Sequence, residues 1–292
     1  MSDYIQQKCF FCSFESNESW VILNPIEQSI KKKVEAFGVP LKKWDININY
    51  GIKTGFNEAF IISGVTRDEI LSNCKNNEEQ KKTADLIRPI LRGKDIKRYD
   101  YSFADLYLIN IHNGLKEKNI PRIDINDYPS IKKHLDKHWD KISIRADRGD
   151  TPYNLRNCAY MDEFNKPKIV WARLMRLSKS DLNAFPRFCT VPEGYFIVDS
   201  LCFFTGPNIE TLVQELNSEF AAYYFFNTVA TLDNGGFQMR QQYVEEIPLP
   251  KINLKSGSID ENIYRAYNFT SDEIEYIRKT IKKKKQEIEQ LV

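Results

Sequence analysis

Between Arg88 and Tyr99 the chain reads RPILRGKDIKRY, which sets Arg88, Arg92, Lys94, Lys97 and Arg98 close together with Asp95 as the one acid. Cations grouped in this way neutralise phosphates, and each such contact steepens the salt dependence of nucleic-acid binding; the same group could instead form surface ion pairs of little energetic worth. The segment Arg145 to Arg156 adds Arg145, Arg148, Tyr153, Asn154 and Arg156, with Gly149 and Pro152 as turn residues. Arginine reads guanine bidentately in the major groove and asparagine or glutamine reads adenine, so this loop holds the chemistry of base readout and an aromatic ring that can stack. Arg173, Arg176, Lys179 and Arg187 follow around the next strands. A third stretch, LDNGGFQMRQQY (Leu232 to Tyr243), offers Gln238, Arg240, Gln241 and Gln242 behind a Gly-Gly turn; they are either base-reading side chains or solvated residues of a connecting loop.

GIKTGFNEAF (Gly51 to Phe60) invites comparison with phosphate loops and fails it. A Walker A loop needs Gly-Lys-Ser/Thr after its second glycine, and a dinucleotide fingerprint needs three glycines. The two glycines suit a tight turn that leaves Lys53, Thr54 and Asn57 exposed at its tip, facing either DNA or their own backbone. Other signals are weaker. Cys9 and Cys12 have the inner spacing of half a zinc site without a second half. His134 and His138 stand one helical turn apart but lack the glutamate of a zincin. The acidic pairs Glu245-Glu246 and Asp162-Glu163 have no lysine and upstream aspartate at nuclease spacing. No glycine-rich loop for S-adenosylmethionine, no Asn-Pro-Pro-Tyr-type motif and no Gly-x-Ser-x-Gly elbow is present, so the chain is expected to be non-catalytic.

Helices and strands must position these loops. Asn24, Pro25 and Glu27 form a capping signature for a helix that Gly38 and Pro40 end. Strand patterns follow at Ile46 to Ile52 and Ala59 to Ser63, then helices at Thr66 to Cys74, capped by Thr66, and at Glu78 to Ile87. Asp105 to Ile111 reads as strand, and Pro129 to Ile142 as a helix with Ile131, Leu135, Trp139 and Ile142 inward. Strands are expected at Lys168 to Leu174, Arg187 to Val191 and Tyr195 to Phe204, and one long helix from Asn208 to about Asn227. Lys251 to Asn268 reads as a polar connector, and Thr270 with Glu273 caps a last helix with Ile274, Ile277, Ile281, Ile288 and Leu291 on one face, docked on its own domain or on a partner. The pattern predicts an α+β fold: a sheet-rich domain over residues 24–250 with several helices, an extension at 1–23, and a connector with a C-terminal helix at 251–292.

With 292 residues the chain has ample core, and 42 Lys+Arg against 40 Asp+Glu leave any basic footprint local. No apolar run approaches the ~20 residues of a membrane span and no signal peptide opens the chain, so no membrane partner is expected. Six scattered cysteines fit reduced thiols in a cytoplasm.

The blocks PLKKWDI (Pro40 to Ile46), GIKTGFNEAF and RPILRGKDIKRY, with RGDTPYNLRNCAYMDEFNKPKIVWARL (Arg148 to Leu174), GYFIVDSLCFF (Gly194 to Phe204) and EEIPLP (Glu245 to Pro250), together resemble the C-terminal specificity domain of TaqI-like adenine-specific DNA methyltransferases and type IIG restriction-modification enzymes. The resemblance runs from about Asn24 to Pro250. It implies a target-recognition module for double-stranded DNA whose strand-connecting loops face the major groove. It also implies a methyltransferase catalytic domain, on the same polypeptide or on another subunit, that would hold S-adenosylmethionine and flip the target base while this chain carries no cofactor. The alternative is a protein-interaction scaffold subunit of a restriction-modification or phage-defence complex. Candidate DNA contacts are thus Lys53, Thr54, Asn57, Arg92, Lys94, Arg98, Arg148, Tyr153, Asn154, Arg156, Arg173, Arg176, Lys179, Arg187, Gln238, Arg240 and Gln241.

Overall fold

A computed structural model describes residues 23–232, 235–252 and 256–291, so the 1–22 segment with Cys9 and Cys12 lies outside the described residues. Helix α1 (Pro25–Phe37) begins at the predicted capping box: the Asn24 side chain accepts from the Glu27 amide at 2.9 Å, and the Glu27 carboxylate accepts from the Asn24 amide at 2.8 Å. The chain then enters β1 (Gly38–Pro40) and β2 (Asn47–Tyr50). After Gly55 comes a single helical turn, α2 (Asn57–Phe60), where a strand was expected; β3 (Ile61–Ser63) is shorter for that reason. Ser63, not Thr66, caps α3 (Gly64–Ser72), and Asn76 caps α4 (Asn77–Leu86). Ile87 already belongs to β4 (Ile87–Leu91), which runs through the first half of the basic block and was not expected from the sequence.

Strand β5 (Leu106–Ile109) follows, then a broken helix. Expected as one piece, it splits into α5 (Pro129–Asp136) and α6 (Trp139–Ile142) at Lys137-His138. The break keeps Ile131, Leu135 and Ile142 buried but turns Trp139 outward, 43% exposed, where an inward ring was expected. Next come β6 (Lys168–Ala172), β7 (Met175–Arg176), β8 (Phe188–Val191), β9 (Phe196–Ile197) and β10 (Leu201–Thr205). Asp199 and Ser200 interrupt what read as one strand between β9 and β10.

The expected long helix is also two, α7 (Ile209–Leu216) and α8 (Glu219–Thr228), because the Ser218 side chain caps the second by accepting from the Ala221 amide. The remaining elements are β11 (Thr231–Leu232), β12 (Gly236–Phe237), α9 (Gln241–Val244), β13 (Pro248–Pro250), α10 (Ile259–Ala266) and α11 (Ser271–Leu291). Helix α10 stands where a connector was expected: a Ser258–Glu261 capping box starts it, and it buries Ile263 and Tyr264, with Tyr267 buried just beyond.

Two antiparallel-rich sheets form the centre. One has the order β2-β10-β6-β8, the other β3-β5-β4-β9, with β4 and β9 parallel. Every residue of β6 and β10 is buried, as expected of central strands covered on both faces. Phe164 joins the two sheets, stacking on Phe196 at 4.5 Å between ring centroids and tilting onto Phe203 at 4.8 Å. Trp171 is fully buried and donates its indole N–H to the Met239 carbonyl at 2.8 Å, which ties the glutamine-rich stretch to β6. A small sheet β11-β12-β7 and the pair β1-β13 complete the α+β fold. The last helix docks on its own chain: Ile277, Ile281 and Ile288 are buried and it packs along α8 and α1, while Leu291 stays 62% exposed. Among the described residues no helix is long and apolar enough to cross a membrane.

Candidate nucleic-acid interface

Strand register places the basic segments. In the central sheet Cys202 faces Tyr50, Leu201 faces Ala172, and Phe188 faces Trp171. The end of β2, the end of β6, the start of β8 and the start of β10 therefore lie along one edge line of the sheet. Lys53 follows β2, Arg173 follows β6, Arg176 lies in β7, Arg187 precedes β8 and Asp199 precedes β10. Gly236 of β12 pairs with Arg176, which brings Gln238 and Arg240 to the same end. The Tyr99 amide donates to the Phe188 carbonyl at 2.9 Å and fixes the close of the RPILRGKDIKRY block there too.

The two glycines of the GIKTG turn have separate reasons. A Cβ on Gly51 would lie 2.0 Å from the Val198 carbonyl oxygen, because Ile52 bridges to Val198. Gly55 has φ +73°, and a Cβ there would lie 2.8 Å from the Asp147 carbonyl oxygen. The turn is thus laid against the 145–157 loop, and Arg145 holds the two together. Its guanidinium is buried, lies 4.2 Å from the centre of the Phe60 ring, and donates to the carbonyls of Thr54, Asp147 (3.0 Å), Pro152 (3.1 Å) and Asn154 (2.6 Å). Burial, and then the neighbouring Arg148 charge, push its pKa down to about 10.

Above this clamp a groove of about 460 Å³ is lined by Tyr50, Lys53, Arg156, Arg173 and Asp199, among others. Asp147 sits between two of its cations, 2.8 Å from Lys53 and 3.3 Å from Arg156. The Lys53 hydrogen bond holds the Asp147 carboxyl below the ordinary aspartate value. Arg173 donates to the Asp199 carbonyl at 3.2 Å, and its guanidinium lies 5.4 Å from the centre of the Tyr50 ring. The groove therefore presents aligned cations beside an aromatic face. Such an arrangement suits a phosphate or a base edge.

Other predicted residues sit differently. Thr54 is 1% exposed, not at the tip; its hydroxyl donates to the Asn57 side chain at 2.6 Å and accepts from the Phe56 amide. Asn154, also 1% exposed, donates to the His112 and Ile123 carbonyls and accepts from Thr151, so it orders the loop and has no face left for a base. Arg92 is forked onto Asp95 and Arg187 is paired with Asp181 at 2.8 Å. Arg98 donates to the carbonyls of Asn183 and Asn217. Tyr153 donates to Asp136 at 2.6 Å and packs its ring on Trp139 at 5.3 Å. Arg148 donates to the Ser143 carbonyl, and Gln241 donates to Glu245. Asn57, Lys94, Arg148, Arg176, Lys179 and Arg240 are exposed and Gln238 half-buried. Sequence reasoning missed Tyr50, Asp147 and Asp199; strand register places Tyr50 and Asp199 beside the cations, and the packing of the Gly55 turn on the 145–157 loop places Asp147. His134 is buried against the Ala59 carbonyl at 3.1 Å, and burial holds its pKa down.

The fold is thus a sheet-centred α+β domain with several basic loops at one end of the central sheet. The family model for the TaqI-like C-terminal specificity domain matches residues 88–249, more than half of the chain, and the chain belongs to that family. Its fold is similar to that of the type IIG restriction endonuclease BpuSI, with a TM-score of 0.50 at 13% identity over 91% of this chain and 32% of that one. It is also similar to the type IIL restriction-modification enzyme MmeI solved in complex with DNA, with a TM-score of 0.56 at 11% identity over 85% of this chain and 36% of that one. The chain thus spans about a third of the length of these two proteins. No curated protein matches it.

Proposed function

We propose that this chain is the target-recognition module of a restriction-modification enzyme. It binds double-stranded DNA, selects a short site through the loops at the basic end of the central sheet, and holds that site against a methyltransferase domain. The observation that supports this most is convergence. Segments far apart in sequence, GIKTG, the 145–157 loop, Arg173, and the 176–187 and 238–241 stretches, come to one end of the central sheet. On this reading the chain supplies no reacting group. The catalytic partner binds S-adenosylmethionine and flips the target base while this module keeps the duplex in register.

Titrating duplex DNA onto the purified chain at several salt concentrations tests the reading against a scaffold role. A DNA reader loses affinity linearly in log salt, with a slope of about −0.9 per phosphate neutralised. Arg156→Ala and Arg240→Ala should each relax the preference at one base position by roughly 1–3 kcal/mol, whereas Lys94→Ala should weaken all sequences alike. Affinity indifferent to salt and to all three substitutions would leave the scaffold reading in its place.

A further inference from the structure

The last helix does more than close the core. Between α11 and the 179–185 loop lies a second groove of about 590 Å³, lined by Arg98, Lys179, Arg278, Lys282 and Lys285 on its basic side. Its acids do not balance them. Glu219 is already engaged by Arg278 at 2.9 Å and by the Tyr264 hydroxyl at 2.6 Å, which leaves Glu289 near the helix end. Arg98 and Lys285 converge on the same residue, Asn183: Arg98 donates to its carbonyl at 2.8 Å and Lys285 to its side-chain oxygen at 3.0 Å. No carboxylate among the described residues pairs with Arg98, Lys179, Lys282 or Lys285, and Arg98 Nε has no hydrogen-bond partner among them. Two cations held side by side repel each other, and the nearby Glu219 and Asp260 offset this only without direct pairing. Burial, and then the Arg98 charge, hold the Lys285 ammonium below the ordinary lysine value. An anion in the groove would relieve both costs.

The position of this groove says which anion. Asn217, next to the lining residue Ser218, ties the groove to the start of β8, donating to the Phe188 carbonyl at 2.8 Å and accepting from the Phe188 amide at 3.0 Å. Arg98 in turn donates to the Asn217 carbonyl. Strand β8 is one edge of the central sheet and β2 the other. The Lys53–Arg156–Arg173 groove lies at the β2 side of the same sheet end, so the two basic grooves stand towards opposite edges of the end that carries the candidate DNA-reading loops.

We propose that the groove between α11 and the 179–185 loop binds DNA backbone phosphates on the flank of the recognised site, so that the C-terminal helix is part of the DNA-binding surface. This rests on the target-recognition reading above and adds a second contact to it. Lys282 and Lys285 contribute affinity without sequence preference, because a point charge on a phosphate carries no base information. The test is a salt titration of the full chain with a mixture of random-sequence duplexes about three helical turns long, ~10.5 bp per turn, with the retained duplexes sequenced. Compared are the unaltered chain, the pair Lys282→Gln with Lys285→Gln, and Lys283→Gln, which removes the same charge from a side chain 78% exposed on α11 outside the groove. Thermal unfolding verifies that each variant is folded, and Lys282→Gln alone, at an exposed position, serves if the pair is not.

The log–log slope is expected to become less steep by about 1.8 for the pair, or about 0.9 for Lys282→Gln alone, and to stay nearly unchanged for Lys283→Gln. Equal slopes for the pair and for Lys283→Gln overturn the inference, while selective binding in the same experiment leaves the target-recognition reading intact. A lowered slope for the pair without any sequence preference supports the groove and counts against site selection. Absence of DNA binding by the unaltered chain at every salt removes both.

Discussion

Replacing Arg145 with methionine is expected to destabilise the protein by at least ~3 kcal/mol and to abolish selective DNA binding with it. The side chain is 6% exposed, and its guanidinium serves carbonyls of Thr54, Asp147, Pro152 and Asn154. Methionine fills similar space but takes the guanidinium donor from the Thr54, Asp147 and Pro152 carbonyls, while the Asn154 carbonyl keeps the Gly149 amide at 2.9 Å, and each buried polar group orphaned costs ~1–3 kcal/mol. The turn and the 145–157 loop would then lose the tie that places Lys53 and Arg156 on either side of Asp147. Lysine at this position keeps a charge yet cannot fork across several carbonyls, so Arg145→Lys should fall between methionine and the native residue. Denaturant unfolding measures the loss; a midpoint unchanged by Arg145→Met would show that the loop is held by other contacts.

Glu215→Gln is expected to raise stability at alkaline pH and to flatten its pH dependence. Glu215 is 2% exposed, its Oε2 has no hydrogen-bond partner among the described residues, and burial pushes its carboxyl up to about 8. In the unfolded chain the same group titrates near ~4.3. The folded state therefore keeps a proton that the unfolded state has lost, and stability is fully present below about pH 4.3 and declines as pH rises towards 8. Between pH 6.5 and 8 the decline from this one group is on the order of 1–2 kcal/mol. Burial raises Asp260 as well, so the comparison of the native chain with the glutamine variant separates Glu215. His112 and His134, which burial holds below the ordinary histidine value, act below about 6.5, and Lys168, pushed down to about 8 by burial, acts between there and about 10.4. Thermal unfolding at pH 6.5 and 8 should show the native chain losing stability across the interval and the glutamine variant holding it. Parallel losses in both would show that Glu215 is ionised in the folded protein.

What the sequence made legible was chiefly local. The capping boxes at Asn24 and Ser258 act within four residues, though only the first was recognised. The two glycines of GIKTG were legible as backbone requirements, but their causes, a close pass by Val198 and a positive φ beside Asp147, come from distant segments. Thr54 and Asn154 show why residue type alone misleads. Both are polar residues in basic loops, and both spend their hydrogen bonds holding backbone so that neighbouring cations can face outward. The helix expected at 208–227 breaks because Ser218 caps the second half and Asn217 is bound to the start of β8, contacts that outweigh continuous apolar periodicity; the one expected at 129–142 breaks at Lys137-His138 without a side-chain cap. Nothing in the spacing of the charged residues on α11 shows that Arg98 would be brought opposite Lys285.

Selection of bound duplexes from a random DNA pool by the purified chain, at low and at higher salt, tests the central claim most directly. A target-recognition module should enrich one short motif, and the enrichment should persist at higher salt because base contacts, unlike phosphate contacts, distinguish sequences. Retention of no duplex at either salt would contradict the claim.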